Sequence, residues 1–299
     1  MFRLAHLSDI HLGPLPGVTY RQLASKRITG YINWHRNRRR NLHEGVTERL
    51  LSDMAGFDPD HVAITGDLVN LALDAELEMA QLWLESLGPA AGVSVVPGNH
   101  DAYVPGALSR ACRAWEKWMH ADLTPATTTR HGFPYLQRRG PLAIIGASSA
   151  VATAPFMASG SFSSEQAKGL SELLEKAGAE NLFRVIMIHH PPVRGATATR
   201  KRLYGIRRFQ KVLRKAGAEL VIHGHTHLAT THWITGKDGR IPVVGVAAAG
   251  QGPGSSKPAA QYNLFDIDGK PGAWRLTLQR RGLKGEAIDP VKIASEELM

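Results

Sequence analysis

Cysteine is almost missing from this chain. Of 299 residues only Cys112 is one, so no internal disulfide is possible. A reducing compartment is the expectation. The same scarcity excludes thiolate-built structural zinc and iron–sulfur centres, and Cys112 itself reads as a small apolar residue on a buried helix. Long apolar runs are missing too. No stretch reaches the roughly 18 residues that a membrane span needs. The opening MFRLAHLSDIHLG sets Arg3, His6, Asp9 and His11 among its apolar residues, which is no pattern for a signal peptide. A cytoplasmic protein is the expectation.

Acidic residues are missing locally. Residues 26–40, KRITGYINWHRNRRR, hold six Lys/Arg and no acid, and residues 194–215 hold nine and again none. The formal charge is +10, with fourteen histidines besides. Such an excess attracts phosphate esters, nucleic acid or an anionic membrane face. Hydrophobic residues make up 43% of the chain and charged residues 21%, ordinary values for a globular protein with a sizeable core.

What is present is an alternation. Apolar runs at 3–8, 61–65, 93–97, 142–147, 184–189 and 219–224 read as strands. Amphipathic patterns at 43–56, 74–88, 163–178 and 204–217 read as helices, the third opening with the look of a capping box at Ser163. Strand, helix, strand, repeated, predicts an α/β fold. Beyond residue 228 the runs ATTHWIT, IPVVGVAAAG, YNLFDIDG and WRLTLQRRG are divided by the turns TGKDGR and DGKPGA. They predict antiparallel strands over about 229–285 that extend the same sheets. A single domain over 1–299 is expected. The segment 17–40 inserts a helical cap that mixes Val18, Tyr20, Leu23, Ile28, Tyr31, Ile32 and Trp34 with basic residues. Residues 250–260, GQGPGSSKPAA, read as a flexible loop.

The polar clusters follow the strands. They are Asp9 and His11 in LSDIH, Asp67 in ITGDL, Asn99, His100 and Asp101 in VPGNHD, His189 and His190 in MIHHPP, and His223, His225 and His227 in IHGHTH. Carboxyl ends of strands in an open α/β sheet share one edge, where ligands bind. Residues i and i+2 on extended chain point to one side, so Asp9/His11 and His225/His227 can each present two ligands together. Gly66, Gly98 and Gly224 precede key residues and permit close backbone approach. Carboxylate, imidazole and amide suit Mn, Fe or Zn, with Co or Ni also admitted. About eight such groups are too many for one ion and enough for two. Two divalent ions about 3.5–4 Å apart clamp an in-line displacement at phosphorus.

The order D-x-H, G-D, G-N-H-D, H-H-P-P, G-H-x-H, spanning residues 9 to 227, resembles the calcineurin-like metallophosphoesterases. The resemblance implies a four-layer α/β/β/α sandwich of two mixed sheets flanked by helices. It implies a first metal held by Asp9, His11 and His227, a second by Asn99, His189 and His225, and Asp67 bridging both. It implies that a metal-bridging hydroxide attacks phosphorus, while His100 assists the departing oxygen and Asp101 orients His100. His190 and His223 are then supporting groups. Arg194, Arg200, Arg202 and Arg207, just beyond HHPP, are candidates to grip a further phosphate.

The resulting expectation is a phosphodiesterase acting on a small phosphodiester or pyrophosphate. One alternative is a pyrophosphatase of the UDP-2,3-diacylglucosamine type, peripheral to the inner face of an anionic membrane through 17–40. Another is a metal-binding scaffold without turnover. Nucleic acid is not expected as a partner, because no helix-turn-helix, zinc-finger or RNP signature is present.

Overall fold

The computed structural model describes residues 1–38, 45–285 and 289–299. Residues 39 and 40 of the cap and 43 and 44 of the first predicted helix lie outside it. In chain order the strands are β1 (Phe2–Leu7), β2 (His61–Ile64), β3 (Val93–Val95), β4 (Tyr135–Arg139), β5 (Leu142–Gly146), β6 (Gly160–Ser161) and β7 (Phe183–Met187). They continue with β8 (Leu203–Tyr204), β9 (Leu220–His223), β10 (Thr230–Thr235), β11 (Arg240–Gly245), β12 (Gln261–Lys270), β13 (Ala273–Gly282) and β14 (Val291–Glu297). Two mixed six-stranded sheets result, ordered β14-β13-β12-β1-β2-β3 and β10-β11-β9-β7-β5-β4, with β6 and β8 paired separately. In the first sheet β1, β2 and β3 run parallel, and in the second β5, β7, β9 and β11 do.

Side-chain alternation assigns the layers. On β5, Leu142 and Ile144 join a core shared with Leu4, Phe265 and Leu278 of the other sheet. Their neighbours Ala143 and Ile145 pack instead with Leu170, Leu174 and Phe209 of the helices Ser164–Ala179 and Ile206–Ala216. On β1, Leu4 faces the second sheet, while Ala5 and Leu7 meet Leu50, Leu77 and Ala111 of the helices Val46–Ala55, Asp74–Ser86 and Ala107–Ala114. The order is therefore helix, sheet, sheet, helix. Strands buried on both faces are apolar throughout, which is why these runs stand out in the sequence. Truncating a wholly buried residue between the sheets, such as Phe265, costs about 3–5 kcal/mol.

Some elements escape the apolar pattern. Strand β4 lies at the edge of its sheet, where Arg138 and Arg139 reach solvent, while Gln137 is buried and bonds Ser94, Trp118 O and His120 O. Strand β14 is half-exposed at the edge of the other. The Ser163 hydroxyl accepts the Gln166 amide, but the Gln166 side chain bonds the backbone of Ser148, so only half of a capping box forms. Cys112 lies partly buried on the helix Ala107–Ala114, and burial pushes its thiol up to about 12.

The segment 17–38 forms two short helices, Tyr20–Leu23 and Arg27–Asn33, and a π turn, Trp34–Arg38. It is fastened by backbone carbonyls. Arg27 donates to Leu71 O and Ala72 O, and Lys26 Nζ donates to Thr153 Oγ1 and Met157 O. A Cβ on Gly30 would overlap Tyr103 and Leu71, so this glycine sets how closely the segment lies on the 68–73 loop.

Candidate metal centre

Asp9 and His11 follow β1, Asp67 follows β2, Asn99 and His100 follow β3, His189 follows β7, and His225 and His227 follow β9. Each of these strands belongs to a parallel set, so their carboxyl ends meet at one rim. There the ligating atoms of Asp9, His11 and His227 lie within 4.8 Å of one another. Those of Asp67, His189 and His225 do so as well, and so do those of His11, Asp67 and His100. Asp67 sits between the sets. Its Oδ2 is 3.8 Å from His11 Nε2 and 3.4 Å from His189 Nε2. Its Oδ1 accepts the His100 amide at 2.7 Å. Asn99 Oδ1 is 3.2 Å from His189 Nε2.

The local backbone corrects the explanation offered for the spacing. Asp9, His11, Asp67, His225 and His227 have φ of 54°, 50°, 56°, 67° and 57°. They are left-handed, not extended. Only nine non-glycine residues among those described have positive φ, and five of them are here. Each costs about 1 kcal/mol or more. Close packing of the loops sustains the strain. A Cβ on Gly66, itself at φ 90°, would strike the Gly98 amide, and one on Gly224 would overlap Ser8 and the Asp9 carboxylate.

Hydrogen bonds set the tautomers. His11 Nδ1 faces Val69 O at 3.0 Å and His189 Nδ1 faces Thr65 O at 2.6 Å. A carbonyl only accepts, so both Nδ1 atoms carry the proton and both Nε2 lone pairs face the carboxylates. His225 is reversed: Nε2 donates to Lys201 O at 2.9 Å, so Nδ1 is the atom that could hold a cation. Such carbonyl contacts orient metal-bound imidazoles generally. Asp9 Oδ1 is buried and accepts no hydrogen bond of good geometry, although His227 Nε2 is 3.1 Å away. Lone pairs directed at carboxylates, with a buried orphan oxygen among them, fit divalent cations of the borderline kind.

Burial opposes charge on Asp9, but His227 and then His189 hold its carboxyl well below the ordinary range. Burial likewise opposes Asp67, and His189 and His100 hold it low. His189 feels burial downward, yet Asp67 pushes it up to about 9. The buried carboxylates thus demand positive charge, which protons or cations supply.

His190 stands apart from its neighbour. Its Nδ1 pairs with Ser149 Oγ at 2.7 Å and its Nε2 with Ala158 O at 3.1 Å, and its ring lies 4.1 Å from that of His225. Burial pushes it down to about 3. His223 Nδ1 bonds Gly224 O, and the residue belongs to none of the three sets.

Asp101 requires a correction. It does not orient His100. Its carboxylate is wholly buried and accepts the amides of Gly98 and Asp67 on Oδ2, at 2.7 and 2.8 Å, and of Leu68 and Val69 on Oδ1, at 3.0 and 3.2 Å. Burial, with Asp67 nearby, pushes its carboxyl up to about 7, against the amides of Gly98 and Val69. The partner of His100 Nδ1 is Asn70 O, at 2.6 Å. Aspartate at position 101 therefore shapes the 66–69 loop, and that loop's next carbonyl sets His100.

Tyr103 and Lys26 were not foreseen. The Tyr103 ring stacks on His100 with centroids 5.2 Å apart, and Lys26 Nζ lies 4.7 Å from the Tyr103 centroid. Burial pushes Lys26 down to about 8, with Asp67 opposing. Tyr103 directly follows the GNHDA run, a visible signal; nothing in the spacing marks Lys26. Arg194, Arg200, Arg202 and Arg207 are all exposed; Arg194, Arg202 and Arg207 line one cavity, and Arg200 does not.

The calcineurin-like phosphoesterase family model matches residues 2–229. The chain belongs to that family. A dimetal phosphatase of Danio rerio is similar over 98% of both chains, with 15% identity and a TM-score of 0.61. The purple acid phosphatase PPD1 of yellow lupin matches 94% of this chain and 51% of its own, at 14% identity and a TM-score of 0.58. At these identities the likeness is one of fold. A search of curated proteins returns no match.

Proposed function

We propose that this chain, whose family and clustered side chains support a metal-dependent phosphoric ester hydrolase, acts on a phosphodiester. The supporting observation is His100: held at Nδ1 by Asn70 O and stacked on Tyr103, it sits edge-on to His11 with ring centroids 4.8 Å apart. An imidazole so fixed can deliver a proton from Nε2 to a departing alkoxide beside the ligand sets. That help matters most when an alkoxide leaves, and is worth about 10²–10⁴-fold. Bound divalent cations supply Lewis acidity to the phosphoryl oxygens and lower the pKa of attacking water. Asp67, between the sets, supplies the shared negative charge, and the Nδ1 bonds of His11 and His189 keep their Nε2 lone pairs inward.

The test is hydrolysis of an alkyl phosphodiester, such as a glycerophosphodiester, against the matching alkyl phosphomonoester with Mn²⁺, in wild type and His100→Ala. A preference for the diester, lost in the variant, supports the proposal. A preference for the monoester sinks the diester reading, and no turnover with any divalent metal favours a non-catalytic scaffold.

A second reading rests on the rim. Tyr20, Phe156, Ile28 and Ile32 are 94%, 82%, 49% and 44% exposed, on or beside the basic cap. Apolar side chains among cations suit an anionic bilayer, and a UDP-linked diacyl sugar pyrophosphate then becomes the substrate. Among the described residues no helix is long and apolar enough to cross a membrane. Cosedimentation with anionic vesicles that fades as salt rises, together with cleavage of the UDP-lipid in preference to simple diesters, would establish this reading.

A further inference from the structure

A cavity of about 720 Å³ lies between the loop after HHPP and the first turn of the helix Ile206–Ala216. Four arginines line it: Arg194, Arg202, Arg207 and Arg208. No carboxylate lines it, and among the described residues none of the four pairs with one. Arg200, although it reads alike in the sequence, is not on the wall, and Arg208 takes its place with Nη1 bonded to Phe162 O at 2.6 Å. The Arg202 guanidinium lies 4.6 Å from the centroid of the Tyr204 ring, which also faces the cavity.

Gathering four guanidiniums without an acid costs electrostatic energy. The helix makes it worse, for Arg207 and Arg208 occupy its first turn, at the positive end of the dipole, where acids are favoured. A solvated basic face explains Arg214 and Lys215 in the last turn but not these two. An anion removes the penalty. Guanidinium forks match phosphoryl oxygens in shape, and the volume suits a small organic ligand rather than a bare ion.

We infer that this cavity is a second anion site, taking a phosphoryl-bearing small molecule independently of the metal centre. No residue of the ligand sets lines it. It is nonetheless joined to them, since Lys201, next to Arg202, holds His225 Nε2 through its carbonyl. The phosphoryl group has two possible sources, a further phosphate on the substrate or a separate small effector.

The experiment titrates inorganic pyrophosphate into the full-length protein by calorimetry, with Mn²⁺ and after chelation, comparing wild type with the Arg202→Ala/Arg207→Ala double variant. Both residues are exposed, so folding is not at stake, and circular dichroism verifies it. Binding that survives chelation, weakens with salt and falls at least tenfold in the double variant is expected. Absence of binding in the chelated protein, or affinity unchanged by the substitutions, overturns the inference. Arginine-dependent binding by a protein that hydrolyses no ester would leave this site standing while the diesterase reading fell. Kinetics identify the source. A substrate phosphate is indicated if the variant loses kcat/KM only on esters carrying a second phosphate. An effector is indicated if pyrophosphate alters turnover of bis(p-nitrophenyl) phosphate in wild type and not in the variant.

Discussion

Gly98 lies so close to Asp67 that a Cβ on it would sit 2.6 Å from the Asp67 amide nitrogen and overlap the Asp67 carboxylate. The amide is backbone and cannot swing aside. Gly98→Ala should therefore displace the carboxylate that stands between the two ligand sets. Overpacking of this kind costs about 1–3 kcal/mol. Metal content by elemental analysis should fall, together with the melting temperature. Full loading and an unchanged melt would show that the contact is not a constraint.

Asp101→Asn replaces one amide-accepting oxygen with an NH₂ group. Either the Gly98 and Asp67 amides or those of Leu68 and Val69 then face a donor. Each buried amide left unsatisfied costs about 1–3 kcal/mol. Turnover and stability should drop together, while the alkaline limb of the pH–rate profile keeps its midpoint, because Asn70 O still holds His100. A shifted midpoint would restore Asp101 as the partner of His100.

Stability should decline below neutral pH for a reason remote from the metals. Burial pushes both His6 and His61 down to about 3, against about 6.5 in the unfolded chain. The unfolded state binds the extra protons, so their stabilising effect is complete above pH 6.5 and is lost as pH falls towards 3. Between pH 6.5 and 5 each histidine removes about 2 kcal/mol. Urea unfolding at pH 7 and pH 5 measures this. The His61→Gln variant should show a shallower loss, and an identical slope would refute the assignment.

Chelation should lower the melting temperature, and Mn²⁺ should restore it. Asp9 and Asp67 are buried like charges, and cations binding only the folded state add about 2.7 kcal/mol at a hundredfold excess over Kd. In an Asp67→Asn background the Mn²⁺ effect should shrink sharply. A melt indifferent to chelator would argue that histidine protons, not cations, balance these carboxylates.

Residue type and local order already specified much of this protein. The runs around Ile144, Val185 and Val221 are apolar because their strands are buried on both faces, so their β character and the α/β alternation are visible without coordinates. The polar clusters declared themselves by following those runs, and parallel strands then bring Asp9, Asp67, Asn99, His189 and His225 to one rim. What the linear order could not carry is the choice among chemically equal neighbours. His189 and His190 are adjacent imidazoles; Thr65 O directs one towards Asp67, while Ser149 and Ala158 O hold the other away. The role expected of Asp101 falls to Asn70 for the same reason, since the acceptor for His100 is a backbone carbonyl, a group that every residue possesses. Arg208 reaches the cavity and Arg200 does not because of where a helix begins. Side-chain chemistry is local and legible, whereas a partner supplied by backbone from a distant segment is known only once the chain has folded.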